Sequence, residues 1–460
     1  MKPVRILVPM LLLIFFACKK ESFTDHPSAI LTTTTDSIHF DTVFTSTGSV
    51  TQFFRIINNN NKGIRISQVS LAGGTGSPFR INVDGIPGPV VNDLEIKAND
   101  SLYVFVTVTI NPNASGLAFI ERDSIAVNYN GNTTWVQLDA FGQNANFLRN
   151  HTISSNTEWD NQLPYVILGQ LAIAPNATLT INKGARIYMH ADAPFIVEGK
   201  LLVNGEKEDS NRVVFTGDRL DEPYRNFPAS YPGLVFTQSS SGNILNYAII
   251  KNAYQGIVAM EPGTGTKLTL NETRIENAYD AGLIGINTSI TASNLLVSNC
   301  GKNIMLVKGG QYYFNHCTSV AFSNNYIQHR EPVLLVTNYL GASAFDLDAQ
   351  FTNSIFWGEA NGLVTDEVVV LKSPAATASV SFDHVLWRVQ NAPAGITANA
   401  IISNQQPLFD SINIFDRIYN FRLKEGSPAL NTGISSGLLR DLDGNPRPVN
   451  LPDLGAFEKQ

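Results

Sequence analysis

Apolar and polar residues alternate through much of the stretch 37–145. Leu102, Val104, Val106, Val108 and Ile110 fall on one face, with Tyr103, Phe105, Thr107 and Thr109 on the other, the period of a β-strand. Ile125, Val127 and Tyr129 predict another strand, Asn130-Gly131 a tight hairpin turn, and Thr133 to Leu138 the returning strand. Phe53 to Ile57, a turn over Asn58 to Gly63, and Ile64 to Val69 predict a further hairpin-like unit. Six or seven such strands in about 110 residues build a β-sandwich.

Beyond Val166 the pattern changes to short strands closed by Gly or Asn, and no helical period persists. Asn246 to Ala253 aligns with Asn271 to Ala278 and with Ser293 to Cys300. Within these blocks Ile250, Ile275 and Val297 are 25 and 22 residues apart. Strands ending at Val320, Phe356 and Leu386 continue the series after 23, 36 and 30 residues. Upstream, the coil ending at Gly184 recurs 21 residues later at Gly205. A period of 21–25 suits a coil of three short strands and three turns. Leucine-rich repeats need Leu at fixed positions and a helical segment, and propeller blades need about 40 residues. A parallel β-helix fits best, since each coil buries its apolar residues on the coil below. Asn252, Asn277 and Asn299 share one register position and predict an asparagine ladder at a corner where the backbone turns left-handed.

Composition supports an all-β chain. Only 15% of the residues are charged, and the 45 asparagines outnumber the 32 lysines and arginines. Asn favours turns over helices. The formal net charge of −7 argues against nucleic acid as a partner.

Lys2 and Arg5 precede an apolar stretch from Ile6 to Ala17, which is too short to span a bilayer and suits an export signal. The run Phe15-Phe16-Ala17-Cys18 resembles the lipobox of bacterial lipoproteins, although its two Phe depart from the usual Leu and small residue. An ordinary secretory signal is the alternative. The resemblance implies that Cys18 is lipidated and becomes the mature N-terminus, anchoring the chain to the cell envelope, in the outer membrane. Residues 1–17 are then the signal, 18–36 a tether, 37–145 the sandwich, 150–400 the β-helix and 401–460 its C-terminal cap. Cys300 and Cys317 remain as buried thiols or one disulfide.

Phe54-Arg55-Ile56-Ile57-Asn58-Asn59, Ser77-Pro78-Phe79-Arg80-Ile81 and Asn111-Pro112-Asn113-Ala114-Ser115-Gly116 resemble the abnormal-spindle/HYDIN type of immunoglobulin-like domain. That resemblance implies a spacer or interaction module. Pro175 to Gly184, Ile196 to Gly205 and Val213 to Gly217 resemble the first coils of the pectin-lyase-like superfamily, which implies a right-handed parallel β-helix. Ser427 to Gly433, Asp441 to Pro448 and Pro452 to Glu458 resemble the ending of surface-anchored β-helix proteins. Family hydrolases resemble one another in Asn-Thr-Asp, Asp-Asp, Gly-His-Gly and Arg-Ile-Lys motifs, and none of the four is in this sequence.

Tyr312, His316, Arg330, Trp357, His384, Trp387 and Arg388 lie in successive coils and are the candidates for a ligand-binding groove. Aromatic faces stack on sugars while Arg and His donate hydrogen bonds. Turn formation and edge packing are the plainer account of these residues and the favoured one. Asp441, Asp443 and Asn445 outline a weak calcium loop that lacks the spacing and closing Glu of an EF-hand, so a turn is favoured there too. No cofactor is expected. The expectation is a lipid-anchored, non-catalytic envelope protein whose β-helix binds a glycan or a partner protein. The alternative is a polysaccharide lyase or glycoside hydrolase with an atypical site.

Overall fold

The computed structural model describes residues 22–45, 48–112, 118–261 and 265–460. Cys18 and the signal segment lie outside the described residues. The chain divides into two compact units between Asn144 and Ala145. Both are β-structures: a two-sheet sandwich, then a parallel β-helix. No described helix is long and apolar enough to cross a membrane.

In the first unit one sheet holds Gly63–Leu71, Phe119–Tyr129, Asn132–Gln143 and Ser37–Phe44, and the other Gln52–Asn58, Asp100–Val108 and Phe79–Val83. Val104, Val106, Val108 and Ile110 are fully buried and belong to one core with Ile64, Ile66, Ile125 and Val127. Asn130 and Gly131 both take left-handed φ, as the predicted hairpin between Tyr129 and Asn132 requires.

Two expectations change here. Gln52–Asn58 and Gly63–Leu71 belong to different sheets, so residues 59–62 cross between sheets and close no hairpin. The buried Asn58 side chain fixes that corner by donating to the carbonyls of Lys62 and Lys97, both at 2.9 Å. Residues 22–36 are not a free tether. Phe23–Thr24 pairs with Gly63 and Ile64, Thr32–Thr33 pairs with Ile57 and Ile56, and Leu31 is buried in the core.

The second unit stacks short parallel strands into three faces. The first face includes Phe195–Val197, Leu234–Phe236 and Gln255–Met260. The second includes Thr178–Asn182, Lys200–Asn204, Asn243–Asn246 and Leu268–Asn271. The third includes Val213–Gly217, Ala248–Lys251, Arg274–Glu276 and Leu296–Ser298. The stack runs from Asn146 to Ser403 around one continuous aliphatic and aromatic core. Cys300 and Cys317 are free, buried thiols within it, and burial pushes both up to about 12.

Two register assignments shift by one residue. Val297 pairs with Ser319, Ser319 with Phe356, and Phe356 with Trp387, so Val320 and Leu386 are not the inward positions. The cause is the C-terminal segment. It does not cap the end of the solenoid. After the hairpin Phe409–Asn413 and Ile418–Leu423, residues 427–458 run back along the third face as a strap. Leu442, Leu454, Ala456 and Phe457 pack onto Leu296, Val320, Ile355 and Leu386 from outside. Asn294 donates to Arg440 O at 2.9 Å and Asn353 to Ile434 O at 2.8 Å, tying the strap to two coils. The outer residues of those coils are therefore as apolar as the inner ones, and alternation alone does not tell inside from outside.

Candidate functional site

The strap does not cover the whole third face. Along one outward row, Leu296 under the strap is in register with Arg274; along the next, Ser298 is in register with Glu276 and Glu276 with Lys251. Where the outer row turns polar, a cavity of about 440 Å³ opens. Its floor is the asparagine corner, and its walls are the insertion 218–230, the loop 322–330 and the tip of the 409–423 hairpin.

The corner asparagines build these walls. Asn252, Asn277 and Asn299 have φ of 65°, 56° and 54°, the left-handed conformation expected of them. Asn277 Nδ2 donates to Asn252 Oδ1 at 2.8 Å, so these two form a rung of the ladder. Asn299 Oδ1 instead accepts the Phe322 amide at 3.0 Å. Asn252 and Asn277 also donate to the carbonyls of Arg225 and Asn226 at 2.9 and 3.1 Å, fastening the insertion. Asn324 Oδ1 accepts the amides of Tyr326 and Ile327 and shapes the second wall. Phe227 meets Tyr326 with ring centroids 4.6 Å apart, joining insertion to loop. A second ladder on the outside of the second face puts Asn182, Asn204, Asn246 and Asn271 in register, with Asn271 donating to Asn246 at 2.8 Å.

Arg417, at φ 55°, closes the third wall. Its guanidinium lies 4.8 Å from the Tyr326 ring centre and donates to Tyr326 Oη at 2.8 Å. Among the described residues no carboxylate pairs with Arg417 or with Lys251, while Arg274 is held by Glu276 and Asp416 accepts from Asn413. Glu276 beside it, despite burial, holds the Arg274 pKa above its usual value. Tyr419 Oη is buried with no hydrogen-bond partner among the described residues; burial raises its pKa against the opposing effect of Arg417. The cavity thus offers amide, phenol and cation hydrogen-bonding groups beside aromatic surface, a set suited to a polyhydroxylated ligand.

The seven groove candidates do not converge. Tyr312 is fully buried in the core and donates to Gly309 O at 2.9 Å. His316 is fully buried, between Asn353 and Ser436, and burial with Arg447 nearby pushes it down to about 3. Trp357 lies under the strap, and Trp387 in the core donates to Ser403 at 3.0 Å. These four cannot reach a surface ligand, because their register positions are inward or roofed. His384 is half-buried against Asp383 at 2.8 Å, and Arg330 is exposed and donates to Gln328. Arg388, partly buried, joins His329 on the fully buried Glu367 and braces it.

The calcium suggestion also gives way. Asp441 Oδ1 accepts the amides of Asp443 and Asn445 at 3.0 and 2.7 Å, and Oδ2 accepts that of Glu458 at 2.9 Å. Asp443 pairs with Arg422 at 2.7 Å. The carboxylates hold a turn of the strap, and no group of three or more His, Cys, Asp or Glu among the described residues is placed to hold a metal.

Asn324, Tyr326, Arg417 and Tyr419 were invisible as a set, since their sequence spacing is set by how far the hairpin folds back. The available signal was the change of outward residues from Leu296 to Arg274 and Glu276, which needs the register to be read.

No protein-family profile matches the chain, and no curated protein matches it. Among solved structures, a family 123 glycoside hydrolase from Clostridium perfringens is similar over 27% of this chain and 26% of its own, at 13% identity and a TM-score of 0.20. The ASH/PapD-like domain 7 of human CEP192 is similar over 25% of this chain and 85% of its own, at 11% identity and a TM-score of 0.17. The chain thus spans about a quarter of the length of the hydrolase.

Proposed function

We propose that the protein is a non-catalytic, lipid-anchored component of a bacterial envelope, built from an abnormal-spindle/HYDIN-like sandwich and a pectin-lyase-like β-helix, and that the ladder cavity binds a glycan. The carrying observation is the cavity's lining: carboxamides, Tyr326 and Tyr419 beside Lys251 and Arg417, two cations without carboxylate partners among the described residues. Polyols and acidic sugars are recognised by such groups, with the ring faces supplying stacking surface.

Glycan-array binding by the full chain tests this. Arg417→Ala and Tyr326→Ala are each expected to weaken binding about tenfold, the loss of about 1.4 kcal/mol. Turnover of a bound polysaccharide, seen as new reducing ends or as absorbance from unsaturated products, would replace the binding reading with the enzymatic one. For the anchor, Cys18→Ser is expected to abolish palmitate incorporation and release the protein from the membrane fraction. Continued membrane retention without label sinks it.

A further inference from the structure

In the sandwich, the sheet of Gln52–Asn58, Asp100–Val108 and Phe79–Val83 carries a ridge of rings on its outer face. Phe53, Tyr103 and Phe105 are 56%, 41% and 39% exposed, while their strand neighbours Phe54, Val104 and Val106 are in the core. The three ring centroids lie 5.5–6.0 Å apart. Single exposed apolar residues need no explanation, but rings gathered in one contiguous patch mark a surface that something covers.

A step lies beside the ridge. Phe53, Phe105 and Asn82 stand in one row across the three strands, and in the next row Thr107 is opposite Arg80. The drop from ring to hydroxyl opens a cavity of about 410 Å³, lined by Thr51, Thr107, Asn82, Arg80 and the Phe105 ring together with Ile81. Arg80 is held by the backbone beneath it: Nη1 donates to the carbonyls of Ser77 and Phe79. Its Nε and Nη2 share one edge of the guanidinium and have no partner among the described residues. Two such parallel donors fit a carboxylate. At the far end of the ridge the Arg55 guanidinium lies 5.9 Å from the Tyr103 ring centre. Neither arginine has a carboxylate partner among the described residues, and no Asp or Glu occupies an outward position of the three strands. In a chain of net charge −7 this face is locally cationic, so its complement is acidic.

The geometry favours a polypeptide over a sugar. Phe53 and Phe105 offer no polar atom, and Phe53 is tilted by 48° and 52° against the other two rings, so the three form a ridge and not a flat platform for a pyranose. Arg55 and Arg80 are two strands and four residues apart, about 16 Å at the backbone, the reach of about five residues of extended chain. Asp100–Val108 is hydrogen-bonded on both sides, so a strand cannot be added at the ridge and contact is made by side chains.

We propose that this face docks an acidic segment of a partner protein in which Asp or Glu residues about five positions apart bracket apolar side chains. One carboxylate meets the free edge of Arg80 and the other meets Arg55, while the apolar residues pack on the ridge and against Phe105 in the cavity. Random ten-residue peptides displayed on phage and selected on the full chain test this. Selected peptides are expected to carry apolar residues bracketed by Asp or Glu. Synthetic copies should bind at least about fivefold more weakly to Phe53→Ala and to Arg55→Glu. Neither side chain makes a hydrogen bond within the described residues, so both variants should keep the melting temperature of the parent chain. Arg417→Ala, in the ladder cavity, should leave peptide binding unchanged. A selection without enrichment, enriched peptides that lack the acidic bracket, peptides indifferent to Phe53→Ala and Arg55→Glu, or peptides that Arg417→Ala releases overturn the proposal. So does hyaluronate binding that Arg55→Glu abolishes, which would make the face a glycan site.

Discussion

Asn277 shows how much one side chain does in this solenoid. Its left-handed backbone turns the corner, its amide donates to Asn252 and Asn226, and its oxygen faces Asn324. Asn277→Ala should therefore cost about 2 kcal/mol, combining a lost buried hydrogen bond with a strained left-handed alanine. Asn277→Gly keeps the backbone relaxed and should cost about half as much. Chemical denaturation of both variants checks the difference. Glu458 makes a second residue-scale case. Burial, with Asp453 beside it, raises its pKa to about 7 although Arg447 lies 2.7 Å away. The folded state thus holds this proton more tightly than the unfolded chain does. The stability it contributes is complete below the ordinary carboxyl range and is lost as pH rises through about 7. The melting temperature should fall between pH 5 and pH 8, and Glu458→Gln should flatten that fall; an unchanged slope in the variant would contradict the assignment.

Among the elements, the strap decides most. Its apolar side chains roof the third face from Leu296 to Leu386, and Leu442 is fully buried. Leu442→Ala is expected to cost about 2–5 kcal/mol, read as a lower unfolding midpoint and as faster hydrogen exchange in the strands around Leu296 and Val320. The same roof explains why the coils were legible from Ile250 to Val297 and slipped by one at Val320 and Leu386. In open coils the solvent face is polar, so alternation marks the inside. Under the strap Val320 and Leu386 are apolar because of residues more than a hundred or some fifty positions away, while the buried Ser319 sits inward and bonds to Val333 O at 2.9 Å. The hairpin Phe409–Asn413 and Ile418–Leu423 likewise suits an end cap by sequence, since nothing local states which way a chain turns after its last coil.

At the scale of the whole molecule, two units with separate cores predict separate unfolding events. Calorimetry should resolve two transitions, of which Leu442→Ala lowers only the one belonging to the β-helix; a shift of both would mean that the units unfold as one. The sequence by itself determined the division into sandwich and solenoid, the coil length and the left-handed corners at Asn252, Asn277 and Asn299. Those depend on strand period and turn propensity, which act over a few neighbouring residues. Only the tertiary structure decided that Tyr312 and His316 are buried and that Lys251, Tyr326, Arg417 and Tyr419 meet. That grouping depends on coil register and on the path of the strap, and both are fixed by packing between residues far apart in the chain.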